Sequence, residues 1–123
     1  MKILIVEPLR RPRRAEIPHA LGAMQQIVGG YIEVISPFDD PVALVCDEDS
    51  KLKGYDLNRL INGTDIIVGT FFICGRSEDD LTDLSDELAD KYEKLLYYPQ
   101  IFVPTRKGVV AINAKGEQEE TSQ

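Results

Sequence analysis

The chain has 123 residues, 43% of them apolar, and carries 21 carboxylates against 14 Lys and Arg for a net charge of -7. That length supports one hydrophobic core rather than two. No run approaches the roughly 18 apolar residues a membrane helix needs. The start "MKILIVEP" turns polar too early for a secretory leader, and the acidic balance argues against a partner held by nucleic-acid phosphates, so a cytoplasmic chain without membrane association is expected.

Lys2 to Val6 is aliphatic and largely branched, which reads as a buried strand ended by Glu7-Pro8. Pro8 and Pro12 each fix φ and remove a donor, making 8 to 12 a loop. Arg13 to Ile17 then returns beside the first strand, with Arg10, Arg11, Arg13 and Arg14 at the tip of the hairpin. After Pro18, Leu21, Met24, Ile27 and Val28 keep helical spacing, and Gly29-Gly30 ends that helix. Tyr31 to Ile35 alternates as a strand, and Phe38 to Pro41 turns the chain into Val42 to Cys46, an antiparallel partner. The acidic tip Asp47-Glu48-Asp49-Ser50-Lys51 closes that strand and reads as a solvated turn.

Asp56 to Ile61 suits one or two helical turns with Asp56 as N-cap. Asp65 to Cys74, "DIIVGTFFIC", is the most apolar run and reads as one central strand covered on both faces, with Phe71 and Phe72 in the core. Ser85 caps a helix with Asp86 and Glu87 in its first turn and Leu88, Tyr92, Leu95 and Leu96 along its apolar stripe, stopped by Pro99. Residues 101 to 112, with "GVVAI", are a weak edge strand or part of the tail, and 113 to 123 a flexible tail. The fold class is α+β: a single compact domain over 1–103, a mixed, mainly antiparallel sheet of four to five strands covered by two helices, followed over 104–123 by the edge strand and polar tail. The uncharged edge "GVVAI" suits pairing with a second copy, which makes a homodimer the expected assembly.

No catalytic constellation is legible, and neither a cofactor nor a metal is called for. The single histidine, His19, sits at a helix start with no serine or cysteine beside it in sequence. Cys46 and Cys74 lie inside apolar runs, as buried free thiols do, and supply too few ligands for zinc. Asp47, Glu48 and Asp49 lack the glycine and distal glutamate of a calcium loop. Eight carboxylates between 78 and 93 suggest a surface imitating the phosphates of DNA, against the plainer reading of a solvated helix face. Asn58 and Arg59 differ in kind: a planar fork beside an amide suits a bidentate carboxylate or phosphate, with a salt bridge from Arg59 to the acidic tip as the structural alternative. Pro8, ahead of "RRPRR", and Pro12, within it, would pre-order the four guanidinium groups for an anion.

Three blocks, "IVGGYIEV", "VCDEDSKLKGYDLNR" and "DIIVGTFFICGRSEDDLTDLSDELADKYEKLL", resemble in order and spacing a family of small uncharacterised domains, a domain of unknown function, from mobile elements, conjugative transposons and phages of gut Firmicutes. The resemblance spans about residues 1 to 102 and brings no reaction or catalytic residue with it. Where relatives more often read Asn-Glu-Glu-Gly this chain has Asp47-Glu48-Asp49-Ser50, and their early loop usually lacks the arginines. The expectation is a non-catalytic binding protein of a phage or mobile element, counteracting host defence by occupying a host protein or sequestering a small anionic ligand. Its candidate contacts are Asn58, Arg59, Asp47, Glu48, Arg10, Arg11, Arg13 and Arg14. The alternatives are a nucleic-acid accessory protein working through the arginine loop, and a small enzyme acting on a phosphate-containing ligand through Asn58, Arg59 and the acidic tip.

Overall fold

The structure, a computed structural model, describes residues 1–114. The tail expected over 113–123 therefore lies almost wholly outside the described residues. The elements in chain order are β1 (Lys2–Val6), β2 (Arg13–Glu16), α1 (Leu21–Val28), β3 (Ile32–Ile35), β4 (Val42–Asp47), α2 (Ser50–Lys53) and β5 (Leu57–Ile61). They continue with β6 (Asp65–Val68), β7 (Phe71–Arg76), β8 (Leu81–Thr82), α3 (Asp86–Leu95), β9 (Gln100–Thr105) and β10 (Gly108–Asn113).

The main sheet has six strands in the order β2-β1-β7-β4-β3, with β8 also on β7, and every pairing in it is antiparallel. It is thus larger than the four to five strands expected and not mixed: the consecutive pairs β1–β2, β3–β4 and β7–β8 return antiparallel, and β7 also runs antiparallel to both β1 and β4. Period-two alternation divides its side chains between two cores. Ile3, Ile5, Ala43, Val45, Phe72 and Cys74 pack with Met24 and Val28 of α1 on one face. Leu4, Val6, Leu44, Phe71 and Ile73 pack on the other face against Ala89 and Tyr92 of α3, Leu96, and Ile61 and Ile67 of the β5–β6 hairpin. The second face is therefore covered by a helix and a hairpin together. None of the helices in the described residues is long and apolar enough to cross a membrane.

Two expectations fail at glycines. Asp56 to Ile61 is not a helical turn but carries strand β5, because Asn62 and Gly63 both take positive φ, 54° and 72°, and fold it onto β6. Asn-Gly between apolar runs is the strongest short hairpin signal. "DIIVGTFFIC" is not one strand: Gly69, at φ 77°, breaks it into β6 in the hairpin and β7 in the main sheet. A side chain at 69 is doubly opposed, since its Cβ would stand 2.7 Å from the Tyr55 ring.

The helix ends follow the local chemistry. Ser85 Oγ accepts the Leu88 N–H, and Gly29 takes the left-handed conformation after α1. Helix α1 begins at Leu21, with Ala20 as its N-cap and Pro18 ahead of it. Leu95, placed in the apolar stripe from sequence, is 60% exposed, because Ala89, Tyr92 and Leu96 turn the buried side of α3 away from it. The weak edge strand is in fact a full hairpin, β9 with β10.

Candidate functional site

Strand β5 carries a register irregularity between Leu57 and Arg59. A bulge sets two residues against one, and here it leaves the consecutive Asn58 and Arg59 both inside, Arg59 at only 1% exposure. Asn58 Nδ2 donates to the carbonyls of Val6 (2.9 Å) and Gly69 (2.8 Å), tying the hairpin to β1. Arg59 Nε and Nη2 donate to the Leu96 carbonyl at 3.2 and 3.0 Å, Nη2 also to the Arg10 carbonyl at 2.7 Å, and Nη1 to Asn58 Oδ1 at 2.9 Å. Leu96 is the C-cap of α3, so the cation sits at the negative end of a helix.

The salt bridge considered for Arg59 with Asp47 to Asp49 is not made. Its hydrogen bonds go to carbonyl oxygens, and among the described residues none of the ion pairs involves it. Among the described residues its charge has no neutralising carboxylate, and desolvation pushes the guanidinium down to about 10. Beside it lies a cavity of about 300 Å³ walled by β5, the Asn62-Gly63 turn, Phe38, the end of α3, and Tyr98, Gln100 and Asn113. Gln100 Oε1 accepts the Leu60 N–H at 2.7 Å and Gln100 Nε2 donates to Asn113 Oδ1 at 3.0 Å, so the β9–β10 hairpin forms one wall. A volume of this size accommodates a small molecule.

Asp47 is not on a solvated turn. It ends β4 fully buried, accepts from Lys53 Nζ at 2.7 Å and from the Asp49 N–H at 2.9 Å, and Lys53 also donates to the Gly29 carbonyl at 3.1 Å. Burial alone would raise the Asp47 carboxyl, but Lys53, the Asp49 N–H and the Tyr55 hydroxyl together hold it below its ordinary value. Gly30 is what lets these groups meet, since a Cβ there would lie 2.5 Å from Lys53 Nζ. This cluster joins α1, β4 and α2. Glu48 stands outside it, exposed.

The arginines disperse. Arg11 stacks on the Tyr97 ring at 4.5 Å, Arg13 pairs with Glu7 at 3.1 Å, and Arg14 pairs with Glu93 at 3.3 Å and with Asp90. Arg10 reaches the site through its backbone carbonyl alone among the described contacts. Asn58, Arg59 and the Arg10 backbone are thus brought together around the end of α3, while Asp47 belongs to a second cluster. Sequence reasoning missed Lys53, Tyr55, Gln100 and Asn113. The first two had a signal in their place two and four residues after the acidic tip's last residue, Lys51, whereas Gln100 and Asn113 had none, because both sit in a segment read as edge or tail.

No curated protein and no solved structure matches the chain significantly. A family model described as a domain of unknown function, DUF3846, matches residues 1–97. The match takes in β1 through α3, including Asn58, Arg59 and Asp47, and stops short of the hairpin wall that carries Gln100 and Asn113. The chain belongs to the DUF3846 family.

Proposed function

We propose that the chain is a non-catalytic binding protein that holds a small anionic molecule, a carboxylate or phosphate, in the cavity beside Arg59. The observation that carries this reading is the buried guanidinium lining that cavity without a carboxylate partner among the described residues. A charge in a weakly polarisable interior attracts an opposite charge far more strongly than it would in water. The guanidinium hydrogen bonds are taken up by carbonyls, so its field draws the anion, while the unused amide hydrogens of Gln100 and Asn113 supply donors. In a phage or mobile element, such a protein sequesters a host metabolite that a defence system uses. The nucleic-acid alternative loses its footing, because Arg13 and Arg14 already pair with the chain's own carboxylates.

The test is titration of the full chain with inorganic phosphate and with a short dicarboxylate, followed by amide NMR. Saturable shifts confined to Arg59, Leu60, Gln100 and Asn113, weakening as salt rises, are expected. Leu95→Trp, at an exposed position on the cavity wall, is expected to keep the fold and lose the shifts. Absence of a saturable shift in the wild-type chain with either anion would remove the proposal.

A further inference from the structure

In the β9–β10 hairpin Ile101 pairs with Ile112 and Val103 with Val110. Cross-strand partners share a face, so these four aliphatic side chains form one patch, each between 38% and 51% exposed. The other face of the ribbon carries Gln100, Phe102, Ala111 and Asn113 and turns toward the rest of the chain, as the bond from the Leu60 N–H to Gln100 requires. A two-stranded ribbon with one apolar face in water is marginal until that face is covered.

We propose that the cover is the same face of a second copy. Two properties select this occupant. The patch has no charged or polar side chain, so it offers nothing for a charged partner to pair with, and by two-fold symmetry it matches itself, Ile and Val against Val and Ile. Charge makes the same choice: residues 94 to 116 are the longest stretch without a carboxylate in a chain of net charge -7, and they hold Lys94, Arg106, Lys107 and Lys115. An approach through the segment 78 to 93, which holds eight carboxylates, would set like charges against each other. Packed face to face and antiparallel, each ribbon carries Arg106 and Lys107 at its tip across the base of the other, toward an acidic body. Two strands of six residues cover only about 20 by 10 Å, well under the roughly 800 Å² per partner of a stable interface, so the dimer is weak and concentration-dependent.

Sedimentation equilibrium of the full chain over a wide concentration series tests this. The weight-average mass is expected to climb from 13.8 kDa toward twice that value. Val110→Asp and Ile112→Lys, each at an exposed site, are expected to stay monomeric with unchanged melting temperatures, while Leu52→Asp, exposed on α2, leaves the dimer intact. A wild-type chain that is monomeric at every concentration overturns the proposal, as does a dimer that survives both hairpin substitutions. Because the anion-binding reading uses the opposite face of the ribbon, either result is separable from its fate.

Discussion

Replacing Arg59 with methionine keeps most of the side-chain volume and removes the charge and every donor. Three acceptors then lose a close partner, the carbonyls of Leu96 and Arg10 and Asn58 Oδ1, and the Asn58 carbonyl loses a longer bond of 3.4 Å. Arg10 is exposed and its carbonyl can turn to water, whereas Leu96 and Asn58 are buried. Two buried unsatisfied acceptors cost about 1–3 kcal/mol each, and relief of the desolvated charge offsets part of this. The net loss comes to about 2–3 kcal/mol, which for a domain of this size lowers the melting temperature by roughly 8–12 °C. Arg59→Lys keeps the charge but cannot fork across Leu96 and Arg10, and its loss is about 1–2 kcal/mol. Thermal and urea unfolding at neutral pH should therefore rank wild type above lysine and lysine above methionine. A methionine variant as stable as wild type would show that the carbonyl cage does not need the cation, and the clamp reasoning would fall.

Gly75→Ala is expected to destabilise by more than about 2 kcal/mol, because its Cβ would stand 2.3 Å from the Asp83 carbonyl oxygen, which is backbone and cannot swing away; a normal urea midpoint would contradict the close approach. On α3, Tyr92→Ala should cost about 3–5 kcal/mol, since the ring is buried against Phe38 at 4.7 Å and its hydroxyl donates to Asp40 at 2.7 Å. Leu95→Ala should change stability by under about 0.5 kcal/mol, and the two melting curves decide whether the stripe is assigned correctly. The Asp47–Lys53 pair gives stability a pH signature. Asp47 sits below its ordinary 3.8, so its contribution is present above that value and lost as pH falls through the folded value. Lys53 sits above its ordinary 10.5, so its share is present below 10.5 and lost as pH rises through the folded value. Asp47→Asn should flatten the acid limb of a stability-versus-pH curve, and an unchanged limb would place the acid sensitivity elsewhere.

What could be read from the sequence was local. α1 and α3 repeat apolar residues at helical spacing, β1 and β4 are short continuous apolar runs buried on both faces, and Ser85 and Gly29 mark helix ends through local hydrogen bonds and φ that need no tertiary context. Asp56 to Ile61 misled because a bulge puts two neighbours inside, which erases the alternation that identifies a strand. Asp47 misled for a different reason. An acidic run is ordinarily solvated, and what buries Asp47 is Lys53 arriving over the small Gly30, a contact between residues 23 apart in sequence. Arg59 follows the same logic: its partners at positions 10 and 96 come from opposite ends of the chain. Residue type identified Asn58 and Arg59 as unusual, but only the packing says that they bind carbonyls.

The two faces of the β9–β10 ribbon connect the two readings of this protein. One face closes the Arg59 cavity through Gln100 and Asn113, and the other presents Ile101, Val103, Val110 and Ile112. A ribbon of two strands is the least secured layer of such a fold, so holding either face reduces the freedom that the other must surrender on binding. Coupling between binding events is reciprocal: if the dimer orders the cavity wall, the anion must tighten the dimer by the same factor. A ligand that binds the cavity while leaving the dimer constant untouched would mean that the ribbon is already rigid in the monomer. In that case the aliphatic face is ordered without cover, and the marginal stability assigned to it is wrong.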